Sequence, residues 1–169
     1  MPEKKTIERA RKDKREGKSP TTQAGEFVRE EIHHIREGKH GARSTKQAIA
    51  IGLSKARRAG VNLPPPKKGE ASEKTRKSAE RAYARGHGAP AKRKPSAKRS
   101  QAIEHALQRE GKSAASHAAL ARQAKAAARR RTASERSAAA EKAVRTKGHT
   151  GLSRAARKAA HTRVSHAHR

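Results

Sequence analysis

Large apolar side chains are nearly missing from this sequence: hydrophobic residues make up 31% of it, much of that alanine, and aromatic residues only 1%. Burying a large aliphatic side chain contributes roughly 1.5–3 kcal/mol, while ordering each residue costs about 1.5 kcal/mol. A single core spanning all 169 residues cannot offset that cost. The chain also carries 44 Lys and Arg against 15 Asp and Glu, a net charge of +29. High charge with low hydrophobicity marks disorder-prone sequence. One small folded region is expected, with a long segment that turns helical once its charge is neutralised.

Such a charge calls for a polyanionic partner. Nucleic acid comes first and an anionic membrane second. Cysteine is absent, which excludes disulfides, thiolate nucleophiles and Cys-based zinc sites. No apolar run approaches the roughly 20 residues of a spanning helix. The opening MPEKKTIERARKDKRE lacks the apolar stretch of a signal peptide. A soluble, cytoplasmic protein that does not engage membrane is expected.

Residues 1–18 read as a charged helical arm whose only large apolar residue is Ile7. A helical hairpin module follows over 19–63. Ser19 and Pro20 give an N-cap with proline at the first helical position, and Gly38 gives the stop. Between them Ala24, Val28, Ile32 and Ile35 form one stripe with Phe27 at its edge. The opposite side carries Glu26, Arg29, Glu30, His33 and Glu37.

The next stretch, STKQAIAIGLSKARRAG over 44–60, poses a choice. Ile49, Ile51 and Leu53 alternate as in a strand, but Ser44 with Gln47 forms a capping box. Gly60 and Pro64–Pro66 end a helix and forbid its return. The spacing predicts a helix over 45–59, with Ile49, Gly52, Leu53 and Ala56 on one face at about 100° per residue. Gly52 costs about 1 kcal/mol relative to alanine in a helix, which makes sense where another helix crosses closely. Ile51 then falls on the basic side, beside Gln47, Lys55 and Arg58. A thymine methyl could explain it. So could a protein contact, from a second copy or from the 1–18 or 70–86 helix. The protein contact is preferred, because this chain has little other apolar surface with which to close a core.

A Pro/Lys linker occupies 64–69, and 70–169 is a basic, Ala-rich, low-complexity region. Short helices are expected there at about 71–85, 97–110, 114–131, 134–146 and 152–165. Residues 1–69 hold 18 Lys and Arg against 8 acids, and 70–169 hold 26 against 7. Most excess charge thus lies where folding is weakest. Gln101-Ala102-Ile103 with Leu107 echoes Gln47-Ala48-Ile49 with Leu53, and Gly151–Ala155 echoes Gly52–Ala56, a weak sign of duplication. The fold class read from all this is all-α without sheet: a small N-terminal helical module followed by partly disordered helical segments.

The basic clusters carry the functional signal. They are Arg43, Lys46, Gln47, Lys55, Arg57 and Arg58; Lys92, Arg93, Lys94, Lys98 and Arg99; Arg129, Arg130 and Arg131; and Arg154, Arg157, Lys158 and Arg163. Neutralising phosphates releases condensed counterions, so a polycation gains affinity without reading sequence. One such cluster usually means only a solvated surface; a net +29 does not. Base stacking is nearly excluded, since Phe27 belongs to a helix stripe and Tyr83 stands alone. Helices 20–37 and 45–59 could form a helix-turn-helix variant, although the loop GKHGARS is long for that turn.

His33, His34, His161, His166 and His168 invite a metal reading, but they are scattered along the chain. Charge tuning near pH 6.5 is the simpler role, and no metal or cofactor is expected. Asp13 is the only aspartate, and Glu30 and Glu31 occupy successive helix positions that should diverge. No enzymatic constellation results.

The stretch from TIERARKDKREGKSPTTQ through LPPPKKG, clearest over RSTKQAIAIGLSKARRAG at 43–60, resembles a family of small basic bacterial proteins. Its members are often labelled plasmid stabilisation or DNA-binding proteins. The resemblance implies a bacterial, nucleoid-linked role and no catalytic residues. The expected function is nucleic-acid binding, DNA before RNA, through phosphate contacts and largely without sequence preference. Helices 20–37 and 45–59 would pack or self-associate through Ala24, Phe27, Val28, Ile32, Ile35, Ile49, Ile51, Gly52, Leu53 and Ala56. Two alternatives are an antitoxin-like protein-interaction module, suggested by the acidic outer face of helix 20–37, and an RNA- or ribosome-associated protein.

Overall fold

The computed structural model describes residues 1–90 and 96–167. It is all-α, and among the described residues there is no strand, only an isolated bridge between Lys68 and Ala71. The helices are α1 (Lys4–Arg15), α2 (Pro20–Glu37), α3 (Thr45–Arg58), α4 (Glu73–Gly86), α5 (Ala97–Gln108), a 3₁₀ turn at Ser113–Ala115, α6 (His117–Arg129) and α7 (Ala133–Ala167). The backbone divides into two compact units, Met1–Gln123 and Ala124–Arg169.

Helix ends in the first unit follow their sequence signals. Gly38 ends α2 at φ 81°, with Lys39 N–H donating to His34 O and Gly38 N–H to Ile35 O. Gly60 ends α3 in the same way at φ 84°, with Val61 N–H on Ala56 O. Both are Schellman closures, which a residue with a Cβ resists. Ser44 Oγ accepts from Gln47 N–H at 3.2 Å, and Gln47 Oε1 accepts from Arg43 N–H at 2.9 Å. Ser19 caps α2 by backbone position only, since its hydroxyl sits against Thr21 and Thr22 instead.

Two small cores hold this unit. The first joins Ala10, Ala24, Phe27, Ala56, Val61 and Leu63, with Ile7 and Leu53 against it. The second joins Ile32, Ile35, Ala42, Ala48, Ala114 and Ala115, with Val28 and Leu120 against it. α1 packs on α2, α2 on α3, and α3 on α4. The charged arm is therefore part of the fold, laying Thr6, Ala10 and Asp13 inward at helical spacing.

The α2–α3 crossing rotates α3 from its expected facing. A Cβ on Gly52 would lie 2.7 Å from Val28 Cα, so the backbones nearly touch there. Only small residues fit such a seam, and α3 buries Thr45, Ala48, Gly52 and Ala56. Ile49 and Leu53 are displaced to its margin, half-buried. Ile51, also half-buried, lies on a ridge between the sides turned to α2 and α4, at about 100° per residue.

The compact unit does not stop at the Pro/Lys stretch 64–69. α4 buries Ala79 and Ala82, and Gly86 meets the end of α3 so closely that a Cβ would stand 1.9 Å from Arg57 O. Segment 107–120 closes the second core. Gly41 N–H donates to Leu107 O at 2.8 Å, Thr45 Oγ1 to Ala114 O at 2.7 Å, and Arg36 Nε to Ala115 O at 2.9 Å. Part of the expected low-complexity region thus belongs to the folded unit. The two weak repeats share no structural role: Ile103 is 62% exposed where Ile49 is half-buried, and Gly151 lacks the helix crossing of Gly52.

The second unit comprises the end of α6 and α7, which breaks at Gly148 (φ 64°, ψ 169°) into two helical stretches. None of its described side chains is buried.

Candidate nucleic-acid interface

The candidate basic residues fall into three groups. Arg129, Arg130, Arg131, Arg154, Arg157, Lys158 and Arg163 are all exposed, as are Arg43, Lys46, Arg58, Lys98 and Arg99. On the last stretch of α7, Arg154 and Lys158 share a face at i, i+4 spacing, with Arg157 beside them. Residues 124–169 hold thirteen Lys and Arg against Glu135 and Glu141. Among the described ones the single ion pair is Arg145 with Glu141, at 3.9 Å. Lys92, Arg93 and Lys94 lie outside the described residues.

Two candidates turn inward, and a third is engaged in a helix cap. Arg57 is buried, its Nε donating to Leu63 O and its Nη2 to Pro64 O, each at 3.1 Å. Gly60 folds the chain back along the last turn of α3, and the guanidinium satisfies carbonyls that the proline run leaves unpaired. Burial lowers the pKa of Arg57 from the ordinary arginine value, yet arginine stays charged. Lys55 points its Nζ to Glu31 Oε2 at 2.6 Å and Glu30 Oε1 at 3.7 Å. Gln47 is committed to its cap.

The glutamates correct a second expectation. Glu30 and Glu31 do not diverge: both are buried and converge on Lys55, because successive positions about 100° apart straddle the line toward α3. Glu30 Oε2 also accepts from Glu3 N–H at 3.2 Å, tying α1 to α2. The Lys55 contacts are charge to charge rather than aligned hydrogen bonds, leaving Glu30 Oε1 and Glu31 Oε2 buried without a hydrogen-bonding donor. Glu26 pairs with Arg9 at 2.7 Å. The acidic outer face expected of α2 therefore shrinks to Glu37.

α3 is packed on α2 and α4, and two of its basic residues are spent inside. The basic surface left to it is Lys46 and Arg58, with Arg43 just ahead of it. Desolvation, then the charge of Arg85 nearby, lower the pKa of Arg58. That places Arg85, which basic runs in the sequence did not single out, in the same positive patch. α1 adds exposed Lys4, Lys5, Arg11, Lys12, Lys14 and Arg15. Their signal was the arm's own charge pattern. Tyr83 is engaged within the fold, donating to Asn62 Oδ1 at 2.6 Å and stacking on His87 at 4.0 Å.

No helix among the described residues is long and apolar enough to cross a membrane. Residues 4–68 are similar to a family described as a family of unknown function, DUF6496. No curated protein and no solved structure matches the chain.

Proposed function

We propose that this protein binds nucleic acid, DNA in the first place, by neutralising phosphates with little readout of base sequence. The observation that carries the reading is the exposed, almost acid-free array of Lys and Arg over 125–163. An array with a single ion pair among its described residues keeps its charge available to an external polyanion. The first unit adds the exposed cations of α1, Arg43, Lys46, Arg58 and Arg85. Helices without a buried face draw no stability from packing and form marginally alone. Phosphate contacts would relieve their self-repulsion and favour the helical form. A cytoplasmic, nucleoid-associated setting and a part in plasmid maintenance belong to this proposal.

The antitoxin-like alternative depends on an exposed acidic face of α2. With Glu30 buried and Glu26 paired, that face no longer favours it. RNA association shares the chemistry of the preferred reading and is separated by direct competition.

Affinity for a random-sequence DNA duplex, measured against salt, tests the proposal. Log K should fall linearly with log salt, with a slope on the order of −5 to −9 if six to ten phosphates are neutralised. Unrelated duplex sequences should bind alike. An affinity indifferent to salt overturns it, and preference for an RNA duplex transfers it to RNA.

A further inference from the structure

Glu31, His34 and His40 converge although the sequence separates them. One ligand-grade atom from each lies within 4.8 Å of the others. Glu31 and His34 stand three positions apart on α2, so they share a face. His40 follows the Gly38 cap, in a loop fixed by Gly41 N–H on Leu107 O at 2.8 Å. The site is largely closed: the side chains of Glu31, His34 and His40 are 1%, 13% and 18% exposed.

The hydrogen bonding of His40 points to a cation. Its Nδ1 is 3.0 Å from Gly41 O and its Nε2 is 3.2 Å from Glu31 Oε1. A main-chain carbonyl and an ionised carboxylate both only accept. A neutral imidazole has one N–H, so whichever nitrogen holds it, the other presents a lone pair to an acceptor. With the N–H on Gly41 O, the Nε2 lone pair faces Glu31 Oε1 across a gap that needs positive charge. A backbone carbonyl on the far nitrogen is also the usual support of a metal-binding imidazole. His34 has a comparable partner in Glu3 Oε1, 2.8 Å from its Nε2. Glu31 divides its oxygens, Oε2 to Lys55 at 2.6 Å and Oε1 to His40. The ammonium of Lys55 therefore does not compete for Oε1.

We propose that Glu31, His34 and His40 bind a divalent first-row transition ion, with Zn²⁺ as the occupant that two imidazoles and one carboxylate suit best. Metal–ligand distances of about 2.0–2.2 Å put tetrahedral ligands roughly 3.3–3.6 Å apart. The cluster reaches this by side-chain adjustment. Bound there, the ion links the end of α2 to the 38–42 loop that α5 grips.

Zn²⁺ titration of the full chain, followed by histidine imidazole NMR, tests this. One equivalent should move the His34 and His40 signals, assigned from His34→Asn and His40→Asn, and leave the other eight histidines in place. Each variant should bind Zn²⁺ at least tenfold more weakly. Co²⁺ in the unaltered chain should give the absorption of a four-coordinate N/O site, which needs no variant to fold. Movement of the tail histidines alone, or unchanged affinity in both variants, overturns the proposal. So does no binding at all.

Discussion

Gly52 of α3 lies so close to α2 that a Cβ built on it would stand 2.7 Å from Val28 Cα. Alanine at 52 must push two helix backbones apart. Overpacking costs about 1–3 kcal/mol, against about 1 kcal/mol gained in helix propensity. Gly52→Ala should lower the free energy of unfolding by a net of up to about 2 kcal/mol, seen as a lower urea midpoint. Gly25, on the exposed side of α2 with nothing within 4 Å, is the contrast. Gly25→Ala should raise stability by about 0.5–1 kcal/mol. A matched response of the two would refute the close crossing.

Lys55 is a second point of decision between surface and interior. Its loss leaves two buried carboxylates facing each other, and breaking a buried pair costs about 3–5 kcal/mol. Lys55→Met should destabilise the first unit by about that much, and adding Glu31→Gln should recover part of the loss. Were Lys55 a phosphate contact, the single variant would keep its stability and lose DNA affinity instead. Urea unfolding beside a DNA titration separates the two.

Arg57 holds Leu63 O and Pro64 O with a planar fork that lysine cannot reproduce. Arg57→Lys and Arg57→Ala should both cost about 1–3 kcal/mol, the penalty for the buried Leu63 carbonyl and the part-buried Pro64 carbonyl losing their donors. DNA affinity measured well below the melting point should stay within a factor of two.

Acid and alkali should each weaken the fold, for opposite reasons. The Glu16 carboxyl sits below its ordinary value, chiefly through its hydrogen bond from Lys18, and Glu73 does so through Arg76. A depressed carboxyl contributes stability above pH 4.5, its unperturbed value, and loses it as pH falls through the lower folded value. Lys18 is raised by hydrogen bonds to Asp13 and then Glu16. Its contribution is complete below pH 10.5 and disappears as pH rises through the higher folded value. Melting temperature should plateau between these limits, and Lys18→Met should flatten both edges. A variant with unchanged edges would refute the assignment.

Arg129, Arg130 and Arg131 close α6 as an exposed run. Replacing all three with Gln should weaken DNA binding about equally for every duplex sequence. The salt slope should become shallower by about 1 for each phosphate that the variant no longer neutralises. A loss confined to one sequence would point to base readout instead.

Much of this fold was legible because its signals are local. Gly38, Gly60 and the Ser44–Gln47 cap mark helix ends from the residues alone. Ala24, Phe27, Ile32 and Ile35 keep the buried stripe of α2. The inward turn of Glu30, Glu31, Lys55 and Arg57 was not legible, since charge pattern reads such residues as surface until a facing helix is known. Ala114 and Ala115 escaped for a different reason. Alanine gives no hydropathy contrast inside an Ala-rich tract, yet these two are buried where Thr45 and Arg36 reach the backbone. His40 carried no helical spacing to join it to Glu31 and His34; only the loop after α2 brings it there.

The grip of residues 107–115 on the 38–45 loop has a consequence for synthesis. Thr45 and Ala114 are hydrogen-bonded across 69 positions, so the second core cannot close until the ribosome has released residue 115. A nascent chain halted near residue 68 would show Ile35 and Ala48 to solvent, and with them a surface open to chaperones or to premature association.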